Sequence, residues 1–145
     1  DSKVLLFCYK CANYNNKGTC PPRIPRIDYH KMILSYKKGL IVALKSSIKG
    51  DLQKVRRDST RKLHHILLEL EKFAFKQSYH FANSFIGGSC KLCLQCPDKC
   101  RFPNMARIPL EAVGVDVVKT VSKVGLKLKF PVINDFYRIG LLMVG

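Results

Sequence analysis

The sequence predicts an α+β fold in which helices pack on a largely antiparallel sheet, with cysteine-rich metal loops at one edge. Three observations carry this. Leu63, Ile66, Leu67, Leu70, Phe73 and Ala74 recur at helical spacing. GLIVAL (39–44) is a short apolar run suited to a buried strand. RIGLLMV (138–144) reads as another strand. At 145 residues and 47% hydrophobic composition the chain suits one metal-binding domain, residues 1–145, that buries its apolar surface without covalent staples.

Taken in order, VLLF (4–7) predicts a short strand leading to a first cysteine loop, and IPRIDYHKMILSYKK (24–38) a helix opening after Pro25. Beyond the strand at 39–44, residues 59–77 predict an amphipathic helix with Ser59 or Thr60 as its cap. YHFANSFIG (79–87) is expected to be a strand that feeds a second cysteine loop. PLEAVGVDVVKTVSKVG (109–125) predicts a helix ending at a glycine. LKLKF (126–130) alternates like a half-exposed strand, and 138–144 is expected to pair beside it through a turn near Asn134 and Asp135.

The chemistry is concentrated in the cysteines. GGSCKLCLQCPDKCRFP (87–103) holds Cys90, Cys93, Cys96 and Cys100 in the spacing C-x2-C-x2-C-x3-C, the run with which bacterial ferredoxins bind [4Fe–4S] clusters. Two residues between thiolates let the chain curl round one centre with amide N–H groups turned inward, which offsets the charge on sulfur. Gly87 and Gly88 permit close backbone approach, and Pro97 and Pro103 keep the loop from becoming helix. CYKCANYNNKGTCPP adds Cys8, Cys11 and Cys20. Three thiolates leave a four-coordinate site one donor short. Either Cys100 joins the N-terminal trio, as in two-cluster ferredoxins, or the run is self-contained and the trio stays open.

The expected cofactor is therefore one or two [4Fe–4S] clusters held by Cys8, Cys11, Cys20, Cys90, Cys93, Cys96 and Cys100. Zinc is the alternative, although a third cysteine two residues after the second is crowded for a tetrahedral ion. Seven is an odd count, and a reducing cytoplasm disfavours structural disulfides. Histidine can ligate cluster iron, which brings His30 and His80 into consideration for an open position. His64 and His65 are adjacent on the predicted helix, point in different directions and read as structural. Glu111 and Asp116, roughly 140° apart on one helix, do not form a carboxylate pair. No nucleophile motif, phosphate loop or dinucleotide fingerprint is present, so catalysis is expected only at an open cluster iron.

Lys and Arg outnumber Asp and Glu 26 to 10. Between residues 37 and 62, nine cations face two acids. A solvated basic face is the plain reading. The functional one is attraction of an acidic redox protein or nucleic acid, the latter weakened by the lack of an accompanying stacking motif. Lys91, Lys99 and Arg101 beside the second cysteine group would raise a cluster's reduction potential. LIVAL (40–44) and IGLLMVG (139–145) are far too short to span a membrane, no secretory leader is seen, and a cytoplasmic protein is expected. The chain opens on Asp1, so a segment could precede it.

The stretches around Cys8, Cys11 and Cys20, together with FIGGSCKLCLQC, CRFP and LEAVGVDVVKT, give the chain a further resemblance. It resembles a family of uncharacterised proteins, common in anaerobic microbes, described as predicted metal-binding proteins with a domain of unknown function. In that family the last stretch typically reads R-P-S-M-E-A-x-G-I-D-V. Arg107, Glu111, Ala112, Gly114 and Asp116 match it, whereas Ile108, Pro109 and Leu110 depart. The resemblance implies metal binding, implies that some N-terminal residues of a family member lie outside this chain, and supplies no reaction.

Overall fold

The structure, a computed structural model, describes residues 1–145. It is α+β: α1 (Ser2–Tyr9), α2 (Tyr29–Leu34), β1 (Lys38–Ser47), α3 (Leu52–Lys76), β2 (Asn83–Phe85), a 3-10 turn (Glu111–Val113), α4 (Val117–Ser122) and β3 (Asp135–Val144). The three strands form an antiparallel sheet in the order β1-β3-β2. β1 pairs with β3 from Lys38 opposite Val144 to Ser47 opposite Asp135, and Phe85 of β2 faces Leu141.

β3 is central, and both of its faces are covered. Ile139, Leu141 and Met143 join Phe85, Leu110, Val113 and Val121 on one face, while Leu142 and Val144 join Leu63, Leu67, Ala74 and Ile86 on the other. That is why 139–144 is continuously apolar instead of alternating. No helix is long and apolar enough to cross a membrane.

Several elements differ from expectation, each for a local reason. VLLF is helical: the Asp1 carboxylate accepts the Lys3 amide, and a leucine-rich segment with a cap satisfies its backbone without a sheet partner. α2 starts only at Tyr29, because Asp28 caps it by accepting from the Lys31 amide. α3 begins at Leu52, capped by Asp51, so part of the basic run is helical. Ser59 and Thr60 are buried within it, their hydroxyls donating to the Arg56 carbonyl. β2 is short because the chain leaving α3 first turns through Ser78, whose φ is +68°, and the Tyr79–Ala82 turn.

The stretch 109–125 is two elements rather than one helix. Gly114, with φ +80°, ends the first and the Asp116 side chain caps the second. Residues 126–130 form no strand. Leu126 and Leu128 pack against the core, Pro131 follows immediately, and the apolar β1 takes the place beside β3.

Candidate metal centre

β2 runs through Ile86 and Gly87 into the cysteine run, and the loop's two ends are tied together. Ile86 N–H donates to the Ile108 carbonyl at 3.1 Å, and Leu110 N–H to the Ile86 carbonyl at 3.0 Å. Gly87 is needed at the entry: a Cβ there would stand 2.2 Å from the Ile139 carbonyl oxygen. At the exit, Arg107 forms a two-pronged ion pair with Glu71 of α3, its Nε donating to Oε1 at 2.8 Å. The same carboxylate accepts the Ser84 amide at 2.7 Å and the Ser84 hydroxyl. Burial opposes ionisation of Glu71, but the Arg107 and Ser84 hydrogen bonds outweigh it and hold the carboxyl below its ordinary range. His64, buried on α3, bonds the Met105 carbonyl through Nε2 at 2.7 Å, which places the proton on Nε2.

Within this frame Cys90, Cys93, Cys96 and Cys100 line one cavity of about 20 Å³. Its far wall is Lys17, Gly18 and Thr19 of the N-terminal loop. The Gly18 amide donates to Cys96 Sγ at 3.2 Å. Arg23 adds a second strap, donating to the carbonyls of Pro97 and Asp98 at 3.2 and 2.6 Å, and Arg61 Nε reaches the Lys91 carbonyl at 3.3 Å.

Cys8, Cys11 and Cys20 line a separate cavity of about 250 Å³. Cys8 lies in the last turn of α1, and its Sγ lies 3.6 Å from the Glu111 carbonyl oxygen. The Asn13 amide donates to Cys11 Sγ at 3.5 Å. Burial, then Cys11 and Cys8, push the Cys20 thiol up to about 11. Burial, then Glu111 and Cys11, raise Cys8. Glu111 is the one carboxylate on this cavity wall. Burial raises its pKa, against the pull of its own amide and of Arg138. Burial in turn pushes the Arg138 guanidinium down to about 10, against the attraction of Glu111.

Cys100 therefore stands with Cys90, Cys93 and Cys96 and not with the N-terminal trio. None of the seven cysteines is in a disulfide. As the side chains stand, no three Cys, His, Asp or Glu groups are close enough together to hold one metal ion. The residues nonetheless fit a thiolate-bound centre, on two grounds: the four cysteines line one cavity, and a backbone N–H already points at the sulfur of one of them. His30 and His80 line neither cysteine cavity; both are exposed, and His80 stacks against Phe75 at 4.9 Å.

Reading from sequence missed Glu111 as a cavity residue and Gly18 as a donor to sulfur. The match of Glu111 to the family motif was the available signal for the first. Nothing in the sequence signalled the second, because it is a contact across the fold. No curated protein and no solved structure matches the chain. Residues 1–144 match the family described as "Predicted metal-binding protein (DUF2284)", and with that match over almost its whole length the chain belongs to this family of predicted metal-binding proteins.

Proposed function

We propose that the protein carries two thiolate centres of iron–sulfur type and serves in electron transfer or as an accessory to a redox assembly. Cys90, Cys93, Cys96 and Cys100 would hold one centre, and Cys8, Cys11 and Cys20 with the Glu111 carboxylate the other. The single observation that carries the reading is the shared cavity of the C-x2-C-x2-C-x3-C sulfurs, with the Gly18 amide already donating to Cys96. When bound, such clusters supply one-electron chemistry.

The chain's own part is to compensate charge. The Gly18 amide and the cations Lys91, Lys99 and Arg101 stabilise extra negative charge on sulfur, which favours the reduced form. Glu111 would give the N-terminal trio the fourth donor that its cysteines lack. A net charge of +16 supports an acidic protein as the electron-exchange partner, steered by long-range attraction.

One observation favours a second reading, a zinc-stabilised basic module that binds an acidic protein or nucleic acid. The cavity at the four-cysteine run measures about 20 Å³, roughly one water-sized guest, so a single ion enters it with less movement of the loop than a cluster requires.

Purification without oxygen, followed by iron, acid-labile sulfide and zinc analysis and by electron paramagnetic resonance of the reduced protein, decides between them. Iron with matching sulfide and a reduced-state signal is expected. Stoichiometric zinc without sulfide would overturn the redox reading.

A further inference from the structure

A third concavity lies beside the metal cavities, and of the residues on its wall only Lys91 also serves a proposed centre. It measures about 300 Å³, and no hydrophobic residue lines it. Arg56 and Arg57 of α3, Lys91 of the cysteine loop and Arg138 of β3 surround it, with the Thr60 and Ser89 side chains between them. No carboxylate is part of the wall. The nearest acids serve elsewhere: Asp58 sits 4.0 Å from Arg57 on the exposed side, and Glu111 faces the N-terminal cysteine cavity while attracting Arg138.

Arg138 makes no ion pair. One of its Nη atoms donates to the Arg56 carbonyl at 3.1 Å, its guanidinium stacks on Phe136 at 4.6 Å, and its buried Nε has no acceptor in the protein. Phe136 and the Arg56 carbonyl thus fix the plane of a cation that has no ion-pair partner and only the more distant attraction of Glu111. Four cations converging on one polar concavity repel one another, and the fold tolerates this at the cost of stability unless an anion fills the space.

We infer that this pocket binds a small oxyanion of the phosphate or phosphomonoester class. The wall suits that chemistry. Planar guanidinium groups offer paired N–H donors to two oxygens of one anion, a lysine adds a point charge, and the Ser89 hydroxyl serves a remaining oxygen, the Thr60 hydroxyl being already bonded to the Arg56 carbonyl. The pocket shares Gly88 and Ser89 with the cavity of Cys8, Cys11 and Cys20, so a bound anion would lie next to that site.

The test is a calorimetric titration of the purified, metal-containing protein with inorganic phosphate at constant ionic strength, using chloride as the control. One saturable site is expected, absent with chloride. Arg57→Gln and, from the opposite wall, Lys91→Gln should each weaken it about tenfold, the loss of one charge-assisted hydrogen bond. Arg57 has a side chain about half exposed, so its variant keeps the fold even if Arg138→Gln does not. Metal content measured in parallel separates the two roles these cations could have. If phosphate gives no saturable heat, or binds equally well to both variants, the site is wrong. It is equally wrong if an oligonucleotide binds and phosphate fails to compete with it, or if the variants lose metal while phosphate binding was never present.

Discussion

The Gly18 amide donates to Cys96 Sγ at 3.2 Å, so the loop between Cys11 and Cys20 supplies a hydrogen bond to a sulfur of the second cysteine group 78 residues away. The two cysteine groups are separate as cavities yet joined by this bond. Gly18→Pro removes the donor. For a one-electron centre, losing about 1 kcal/mol of preferential stabilisation of the reduced form lowers the potential by about 40 mV. Gly18→Ala keeps the amide, and its Cβ would meet Cys96 Sγ at an ordinary 3.7 Å, so the potential should hold. Potentiometric titration of the two variants checks this. Equal potentials in Gly18→Pro and the parent protein would remove the coupling.

The cysteine partition has its own test. Cys100→Ser should erase the same reduced-state signal as Cys93→Ser and leave intact the one that depends on Cys8, because Cys100 shares its cavity with Cys93. Glu111→Gln should change only the Cys8-dependent signal, since Glu111 lines that cavity and not the other. Should Cys100→Ser instead act like Cys8→Ser, the loops must rearrange on metal binding into the shared-site arrangement. Metal uptake at the N-terminal group should also strengthen as pH rises. Cys20 titrates near 11 and Cys8 above its ordinary value, and both must give up protons to bind.

Glu71 and Arg107 hold the exit of the cysteine loop, with side chains only 12% and 17% exposed. Glu71→Gln leaves the guanidinium without its counter-charge and should cost about 3 kcal/mol, a fall in Tm on the order of 10 °C. Arg107→Met in the same background should recover part of the loss, because an apolar pair has no stranded charge. Because the folded pKa of Glu71 lies below that of an ordinary carboxylate, its contribution is complete above the ordinary value. It is lost as pH falls through the folded one. Thermal unfolding of the single and double variants measures the coupling, and an additive response would mean that the pair is not an energetic unit.

How much of this was legible in the sequence depends on the range of the cause. The class, the helix containing 63–74 and the strands at 39–44 and 138–144 follow from periodicity and composition along short stretches, but 39–44 is not the buried strand its apolar run suggested: β1 is an edge strand, with Leu40 51% exposed. Errors arose where a cap or a competing partner decided. Asp1 turns VLLF helical, Asp51 lengthens α3 into the charged run, Gly114 and Asp116 divide 109–125, and β1 takes the place beside β3 intended for 126–130. Within the site, each cavity is lined by the cysteines of one sequence group. The approach of Glu111 to Cys8 and the Gly18 donor to Cys96 are contacts across 103 and 78 residues of chain. No local pattern encodes them.

His64 supplies the pH test of the frame itself. Its imidazole is 1% exposed, and burial is the main force lowering its pKa from the ordinary 6.5. Arg107 and His65 push the same way, while the Met105 carbonyl and Glu71 oppose them. Between the folded value and 6.5 the unfolded chain binds more protons than the folded one, so stability rises with pH there and is complete above about 6.5. On lowering pH from 7.5 to 5.5 the protein should lose stability at up to about 1.4 kcal/mol per unit below 6.5. Thiolate protonation at the cysteine centres adds its own loss, but it does so equally in a variant that keeps them. His64→Gln retains a donor for the Met105 carbonyl and removes the titration, so its stability should fall less steeply over the same interval. Chemical denaturation of both proteins across that range measures the difference, and parallel curves would show that the buried imidazole does not govern the stability of the loop's anchor.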